Sequence, residues 1–163
     1  MTTSEAEMER KAAQRSALMS RIRSKDTKPE VTVRRLLHAR GLRFRLHRRD
    51  LPGKPDILLP RHHLAIFVHG CFWHQHEGCR LASKPKSRTE YWTPKLAGNV
   101  RRDQEAHTAL RALGWRVEVI WECDARDAQS IEGRIGQILS SLKLSQGPLK
   151  AEAVGEENEY SDK

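Results

Sequence analysis

The chain has 163 residues, which is enough for one ordinary domain with a modest core. No stretch is apolar and long enough to span a bilayer, so the sequence predicts no transmembrane helix. Residues 1–15 are polar and lack the apolar centre of a secretion signal, so we expect a cytoplasmic protein.

The formal net charge is +9, and the positive charge is concentrated in the first third of the chain. Between Arg10 and Arg49 there are fourteen lysines and arginines against two acids, Asp26 and Glu30. Such a concentration is typical of a surface that binds a phosphate backbone. A solvated basic surface that only aids solubility is the alternative, and charge alone does not separate the two.

Hydrophobic spacing and turn residues predict a series of helices and strands. A helix is expected over 5–23, with Met19 among its apolar residues. Further along, Leu113 is expected on the inward face of a long helix. The predicted elements after the first helix are, in chain order, a helix between Thr27 and Gly41, strands over 42–47, 56–59 and 64–68, an irregular loop over 69–88, a helix over 91–113, a strand over 115–121 and a helix over 128–144.

The start of the second helix carries a capping box, in which Thr27 is the N-cap and Glu30 stands three residues later. Glu30 is also the kind of first-turn acid that interacts favourably with the helix dipole. A structural role therefore accounts for Glu30 without any catalytic function.

The order of elements predicts an α/β layer fold with a small mixed sheet flanked by helices. We expect a flexible N-terminus over 1–14, a single domain over 15–144 and an acidic tail over 145–163. The tail carries five acids against two lysines, a composition that favours disorder.

The three cysteines are an odd number, which argues against a disulfide framework. Cys71, His76 and Cys79 have a C-x4-H-x2-C spacing within the irregular loop. Tetrahedral zinc takes four nitrogen or sulfur ligands on short, bendable connections, and Cys123 at the end of the last predicted strand would supply the fourth. Unrelated buried thiols are the alternative.

Asp56 stands at the start of an apolar predicted strand. A charge there is costly unless it is paired or bound to a metal. In nucleases such an aspartate holds Mg²⁺, which activates water and stabilises the transition state. An ordinary turn aspartate is the alternative. His69 and His74 exceed the four ligands of a zinc site, so they are candidates for catalysis or for support of the metal loop.

Several short motifs follow one another along the chain. They are Pro52-Gly53-x-Pro55-Asp56, His69-Gly70-Cys71-Phe72-Trp73-His74-x-His76, Arg88-Thr89-Glu90-Tyr91-Trp92, Lys95, Asn99-Val100-x-Arg102-Asp103, Leu113-Gly114-Trp115-Arg116-Val117 and Trp121-Glu122-Cys123. In this order the motifs resemble those of the very short patch repair (Vsr) mismatch endonucleases, over about residues 14 to 140.

The resemblance implies a restriction-endonuclease-like fold with a zinc-braced loop, a structural Zn²⁺ and a catalytic Mg²⁺. It also implies strand-specific nicking of double-stranded DNA 5′ to the thymine of T·G mismatches, which arise by deamination of 5-methylcytosine. The implied setting is a monomer on the bacterial nucleoid. Functional links to a cytosine-5 DNA methyltransferase and to mismatch-repair proteins are implied as well, and no membrane partner is.

By position, the resemblance assigns roles to individual residues. Catalytic roles fall to Asp56, His74, Glu30 and His69; magnesium ligation to Asp56 and the backbone carbonyl of Val68; zinc ligation to Cys71, His76, Cys79 and Cys123; and wedging at the mismatch to Phe72, Trp73, Trp92 and Met19. Core packing is the alternative for the three ring side chains, but they stand in polar, loop-like sequence.

Two other functions remain open. A nuclease of the same fold could nick or restrict another DNA target, and flanking sequence preference would separate it from a mismatch enzyme. A zinc-containing DNA-binding module without catalysis is the rival from another class, and it leaves Asp56, His74 and Glu30 unexplained.

Overall fold

The computed structural model describes residues 25–145, together with Glu7 and Arg10, which are both helical. The rest of the predicted first helix, including Met19, lies outside the described residues. The same is true of the acidic segment after residue 145 and of nearly all of the predicted N-terminal segment.

Four helices and four strands follow one another in the described part of the chain. They are α1 (Lys28–Ala39), β1 (Arg45–Leu46), β2 (Ile57–Leu59), β3 (Leu64–His69), α2 (Thr89–Ala112), β4 (Arg116–Trp121), α3 (Glu122–Arg126) and α4 (Ala128–Ser145). Single 3-10 turns cover Pro60–His62 and Arg80–Ala82.

The predicted N-cap, Thr27, is present at the start of α1, but the predicted capping box is incomplete, because the Glu30 carboxylate accepts from the Asp26 N–H and not from the Thr27 N–H. The Glu30 N–H donates to Thr27 Oγ1 over 3.4 Å, and the Thr27 hydroxyl donates to Glu30 Oε1 over 2.9 Å. Gly41 lies just past the helix with a φ of +74°, the left-handed conformation that ends many helices. Local chemistry therefore defines both ends of α1.

The sheet is small and mixed, as predicted, with the strand order β1-β2-β3-β4. The first two pairs are antiparallel, and β3 and β4 are parallel with Leu64 opposite Arg116 and His69 opposite Trp121. Two parallel strands need a crossover connection, and α2 supplies it. Both strands therefore end at the same edge of the sheet.

Each face of the sheet carries its own apolar cluster. On one face, Ile57 and Ile66 pack with residues of α1 and α4, such as Leu37 and Ile135. On the other face, Phe67 packs with Leu110 of α2. All three residues of β2 are buried because helices cover both sides. No helix in the described part of the chain is long and apolar enough to cross a membrane.

Three details differ from the sequence predictions. The strand expected over 42–47 is reduced to Arg45–Leu46, because Leu42 and Phe44 pack on the core without pairing. Leu113 is 59% exposed rather than inward, because α2 ends one residue earlier. Cys123 lies on the short helix α3 rather than at the end of a strand, because β4 ends at Trp121.

Gly53 provides a test of the packing between the turn before β2 and helix α2. Its φ is +68°, and an added Cβ would lie 2.6 Å from the Ala106 Cβ and 3.2 Å from the Phe67 ring. We expect Gly53→Ala to lower the free energy of unfolding by about 2–4 kcal/mol, because strain and overpacking add. Gly41→Ala is the matched control, since its φ is also positive but nothing lies within 4 Å of the added Cβ.

The control should cost only about 1 kcal/mol, the usual penalty for a left-handed residue. Urea unfolding of the two variants measures the difference. Equal losses would show that the contact with Ala106 does not constrain the turn.

Candidate active site and cysteine–histidine cluster

A cavity of about 810 Å³ opens where β3 ends. It brings together the residues that the sequence singled out for catalysis and magnesium binding, the predicted wedge residue Trp73, and an acid from α2. These lining residues are Glu30, Asp56, Val68, His69, Trp73, His74 and Asp103.

Asp56 directly precedes β2, and each oxygen of its carboxylate has a nitrogen neighbour. Its Oδ2 accepts a hydrogen bond from the Val68 N–H over 2.8 Å, while its Oδ1 lies 3.9 Å from His47 Nδ1. Burial raises the pKa of Asp56 to about 6, and the negative charge of Glu30 acts in the same direction. A cation that binds to this buried carboxylate would stabilise its ionised form.

Glu30 combines its capping role with a place in the cavity wall. It is 3% exposed, and its Oε2 accepts from the Asp26 N–H over 3.1 Å and from Arg34 over 2.8 Å. A buried carboxylate needs such partners because desolvation of a charge is costly. The predicted structural role of Glu30 at the start of α1 is therefore confirmed. Glu30 also lines the cavity, so the predicted catalytic role stays a prediction.

His74 is paired with an acid to which sequence reasoning gave no role. Its Nδ1 lies 2.6 Å from Asp103 Oδ2. Burial alone would raise the pKa of Asp103, but the hydrogen bond and charge of His74 outweigh it and hold that pKa below its usual value. The ionised Asp103 only accepts, so the His74 proton lies on Nδ1 and Nε2 is left with a lone pair when the ring is neutral.

The His69 ring packs against the ring of His74. Its ring stacks on the His74 ring with centroids 3.8 Å apart and planes 10° apart. Burial, together with the positive charge of His74, lowers the pKa of His69 to about 3. His69 is therefore neutral at ordinary pH, and its ring restricts the rotation of His74.

The four predicted zinc ligands lie together. The sulfur atoms of the three cysteines and a ring nitrogen of His76 all lie within 4.8 Å of one another. His76 Nδ1 is 3.7 Å from Cys71 Sγ and 3.3 Å from Cys123 Sγ. Cys79 reaches the cluster through Gly78, whose φ is +69°. Three sulfurs and one imidazole are a donor set suited to a tetrahedral metal ion.

Burial changes the pKa values of the thiols in this cluster. It raises the pKa of Cys71 to about 12 and also raises the pKa of Cys123. The backbone N–H of Leu81, by contrast, lowers the pKa of Cys79. Two of the three thiols thus resist ionisation unless a cation compensates for their burial.

The three predicted wedge rings that the structure describes form a partly exposed cluster outside the core. Phe72 meets Trp73 at 5.1 Å and Trp92 at 5.6 Å, both edge to face. Lys95 Nζ lies over the Trp73 and Trp92 rings at 5.8 and 5.5 Å. The side-chain amide of Asn99 donates to the Trp73 carbonyl over 2.9 Å and fixes the loop. The three rings therefore form one aromatic cluster, with the Lys95 ammonium over two of them.

Comparisons with known proteins identify the family of this chain. A sequence profile described as DNA mismatch endonuclease Vsr matches residues 9–80. The chain is 55% identical over 125 residues to the type II nicking enzyme V.XorIIP of Xanthomonas oryzae pv. oryzae, covering 77% of this chain and 91% of that protein. It is 42% identical over 119 residues to the DNA mismatch endonuclease Vsr of Escherichia coli, covering 73% and 76%.

A third relative is the type II nicking enzyme V.NmeAIP of Neisseria meningitidis, 38% identical over 131 residues, covering 80% of this chain and 93% of that protein. The small mixed sheet with its flanking helices fits an α/β nuclease fold. The chain therefore belongs to the Vsr family of DNA mismatch endonucleases, and it is a DNA endonuclease.

Proposed function

We propose that this endonuclease is Mg²⁺-dependent and nicks one strand 5′ to the thymine of T·G mismatches. The observation that carries the proposal is that Trp73 of the aromatic cluster lines the same cavity as Asp56 and His74. A base step unstacked by the aromatic cluster would thus lie beside the reactive groups. Since T·G arises from 5-methylcytosine, a cytosine-5 methyltransferase must act before this enzyme.

The donor chemistry around Asp56 fits a hard divalent cation. Its carboxylate oxygens are the ligands that Mg²⁺ prefers, and burial raises its pKa more than the nearby His47 and His74 lower it. Asp56 and the Val68 carbonyl would hold the ion. Bound there, Mg²⁺ would supply charge stabilisation at the scissile phosphate and a more acidic water.

The remaining steps fall to the chain's own side chains. His74 takes a proton at Nε2, since its Nδ1–H is bound to Asp103. The Asp103 carboxylate stabilises the imidazolium that forms, and the stacked His69 ring keeps the base in place. Glu30 holds the start of α1 against the cavity.

Asp56→Asn is expected to abolish nicking of a T·G duplex while affinity for DNA changes less than about threefold, because phosphate contacts dominate that affinity. A gel assay for incision and a binding assay in Ca²⁺ measure the two properties. Asp50→Asn is the matched control, since Asp50 is exposed and pairs with Arg48 at the surface. Incision by the Asp56 variant at the wild-type rate would refute the assignment.

Proton release by the wild-type protein tests the raised pKa of Asp56. At pH 5 the wild-type Asp56 is largely protonated, so Ca²⁺ binding should release about one proton, whereas at pH 8 it should release none. Calorimetry in two buffers of different ionisation enthalpy measures this release. Equal release at both pH values would contradict a pKa near 6 for the metal-free site.

We further propose that the cysteine–histidine cluster holds one structural Zn²⁺. Its donor set fits, and its buried thiols need a cation in order to ionise. Metal bound there would join the loop after β3 to helix α3 and so contribute to folding.

His76→Ala is expected to remove the zinc and to lower the melting temperature by about 10 °C, because the lost binding free energy is folding free energy. Elemental analysis and thermal unfolding are the measurements. His38→Ala, an exposed position on α1, should change neither. Purified wild-type protein without zinc, or with a melting temperature unmoved by a strong chelator, would exclude the proposal.

Trp73→Ala is expected to lower the preference for a T·G duplex over a paired duplex by about tenfold, since stacking on a base contributes about 1–3 kcal/mol. Its melting temperature should stay near the wild-type value because the ring lies outside both apolar clusters. Trp115→Ala is the control, because Trp115 packs against the core. That variant should melt early and keep the mismatch preference. If Trp73→Ala instead melts early and keeps the mismatch preference, Trp73 is a core residue.

A second function rests on the relatives, because two of the three named above are described as type II nicking enzymes. Nicking at another DNA target is the alternative for this chain. A labelled duplex panel that varies the mismatch and its flanking bases decides between the two. Incision of fully paired duplexes at the rate found for T·G would favour the alternative.

A further inference from the structure

A second group of charged side chains lies behind Asp56. Ligand atoms of Asp26, Glu30 and His47 lie within 4.8 Å of one another, as they would around a cation. The Arg34 guanidinium fills that position: one amino group lies 2.5 Å from Asp26 Oδ1, and the other lies 2.8 Å from Glu30 Oε2 and 2.9 Å from His47 Nε2. A fixed protein cation thus balances these acids.

The contact between Arg34 and His47 determines where the His47 proton lies. A guanidinium has donors and no acceptor, so His47 Nε2 must accept with its lone pair. The neutral ring therefore carries its proton on Nδ1. That nitrogen lies 3.9 Å from Asp56 Oδ1, which is close enough for an electrostatic contact but too far for a direct hydrogen bond.

The backbone holds His47 in this place. Its φ of +46° is in the left-handed region, which is unfavourable for a residue with a Cβ. Its N–H donates to the Asp56 carbonyl over 3.2 Å. Arg34 itself is 13% exposed, and its buried Nε finds no acceptor among the described residues. Backbone strain and an unpaired donor both lower stability, so the arrangement is not explained by stability alone.

We propose that Arg34 is a positioning residue that fixes the Nδ1–H tautomer of His47 and so, together with the Val68 N–H, orients the Asp56 carboxylate. Asp56 Oδ2 then accepts from the Val68 N–H, the His47 Nδ1–H lies near Oδ1, and the carboxylate lines the cavity. The relevance of this orientation to cleavage rests on the proposed Mg²⁺ site, but the tautomer itself does not.

The test is long-range ¹H–¹⁵N NMR of the histidine rings in the protein without added Mg²⁺, with the His47 signals assigned by their loss in His47→Gln. Wild-type His47 should be protonated on Nδ1. In Arg34→Met it should change to the Nε2–H form that an unconstrained neutral imidazole favours. Arg40→Met, which breaks the ion pair with Glu132 at the end of the same helix, should leave the His47 signals unchanged.

A second measurement is the Mg²⁺ concentration for half-maximal incision. Arg34→Met should raise it by about tenfold, as expected when an outer partner of a metal ligand is lost, with a smaller change in the rate at saturating Mg²⁺. Arg34→Lys should recover part of this loss, because an ammonium still donates to His47.

A wild-type His47 with its proton on Nε2, or on both nitrogens, would overturn the proposal. So would an Nδ1–H tautomer that survives in Arg34→Met. If that variant melts early because Glu30 is left unpaired, the Glu30→Gln/Arg34→Met double variant removes both charges and is tested in the same way. Incision without any need for Mg²⁺ would instead refute the proposed function, and the NMR result would still decide the role of Arg34.

Discussion

The parallel pairing of β3 with β4 is the constraint on which both sites depend. Six residue pairs join the strands, from Leu64 opposite Arg116 to His69 opposite Trp121. Because the strands are parallel, the segments that follow them leave the sheet at the same edge. The loop after His69 and the helix that carries Cys123 therefore meet, although about fifty residues separate them in the sequence.

Trp121 lies between the two sites at this edge. One face of its ring stacks on His76 of the cysteine–histidine cluster, with centroids 4.1 Å apart. His69 of the cavity meets the same ring edge to face at 5.4 Å. The loop from Gly70 to Cys79 thus supplies ligand candidates on one side and His74 on the other. Order in the cluster is a condition for the position of His74, since one short loop carries both.

The sequence predicts the features that depend on near neighbours. The N-cap of α1, the two buried strands and the Cys/His block follow from residue type and spacing alone. The partner of His74 does not, because Asp103 is 29 residues away and reaches it only after α2 has packed on the sheet. The length of β1 also depends on tertiary structure. The residues before it alternate as in a strand, but β1 lies at the edge of the sheet, where Leu46 is 40% exposed.

The buried carboxylate of Asp56 lowers the stability of the folded protein when it is ionised. Burial raises the pKa of Asp56, so in the metal-free protein this group contributes to stability below the ordinary aspartate pKa near 4 and that contribution is lost as the pH rises through about 6. At neutral pH the folded state therefore holds an ionised carboxylate at a disadvantage. A bound cation reverses that sign, because it interacts only with the ionised form. If Asp56 holds Mg²⁺ as proposed, the stability lost by burying this carboxylate is recovered as affinity for the cation.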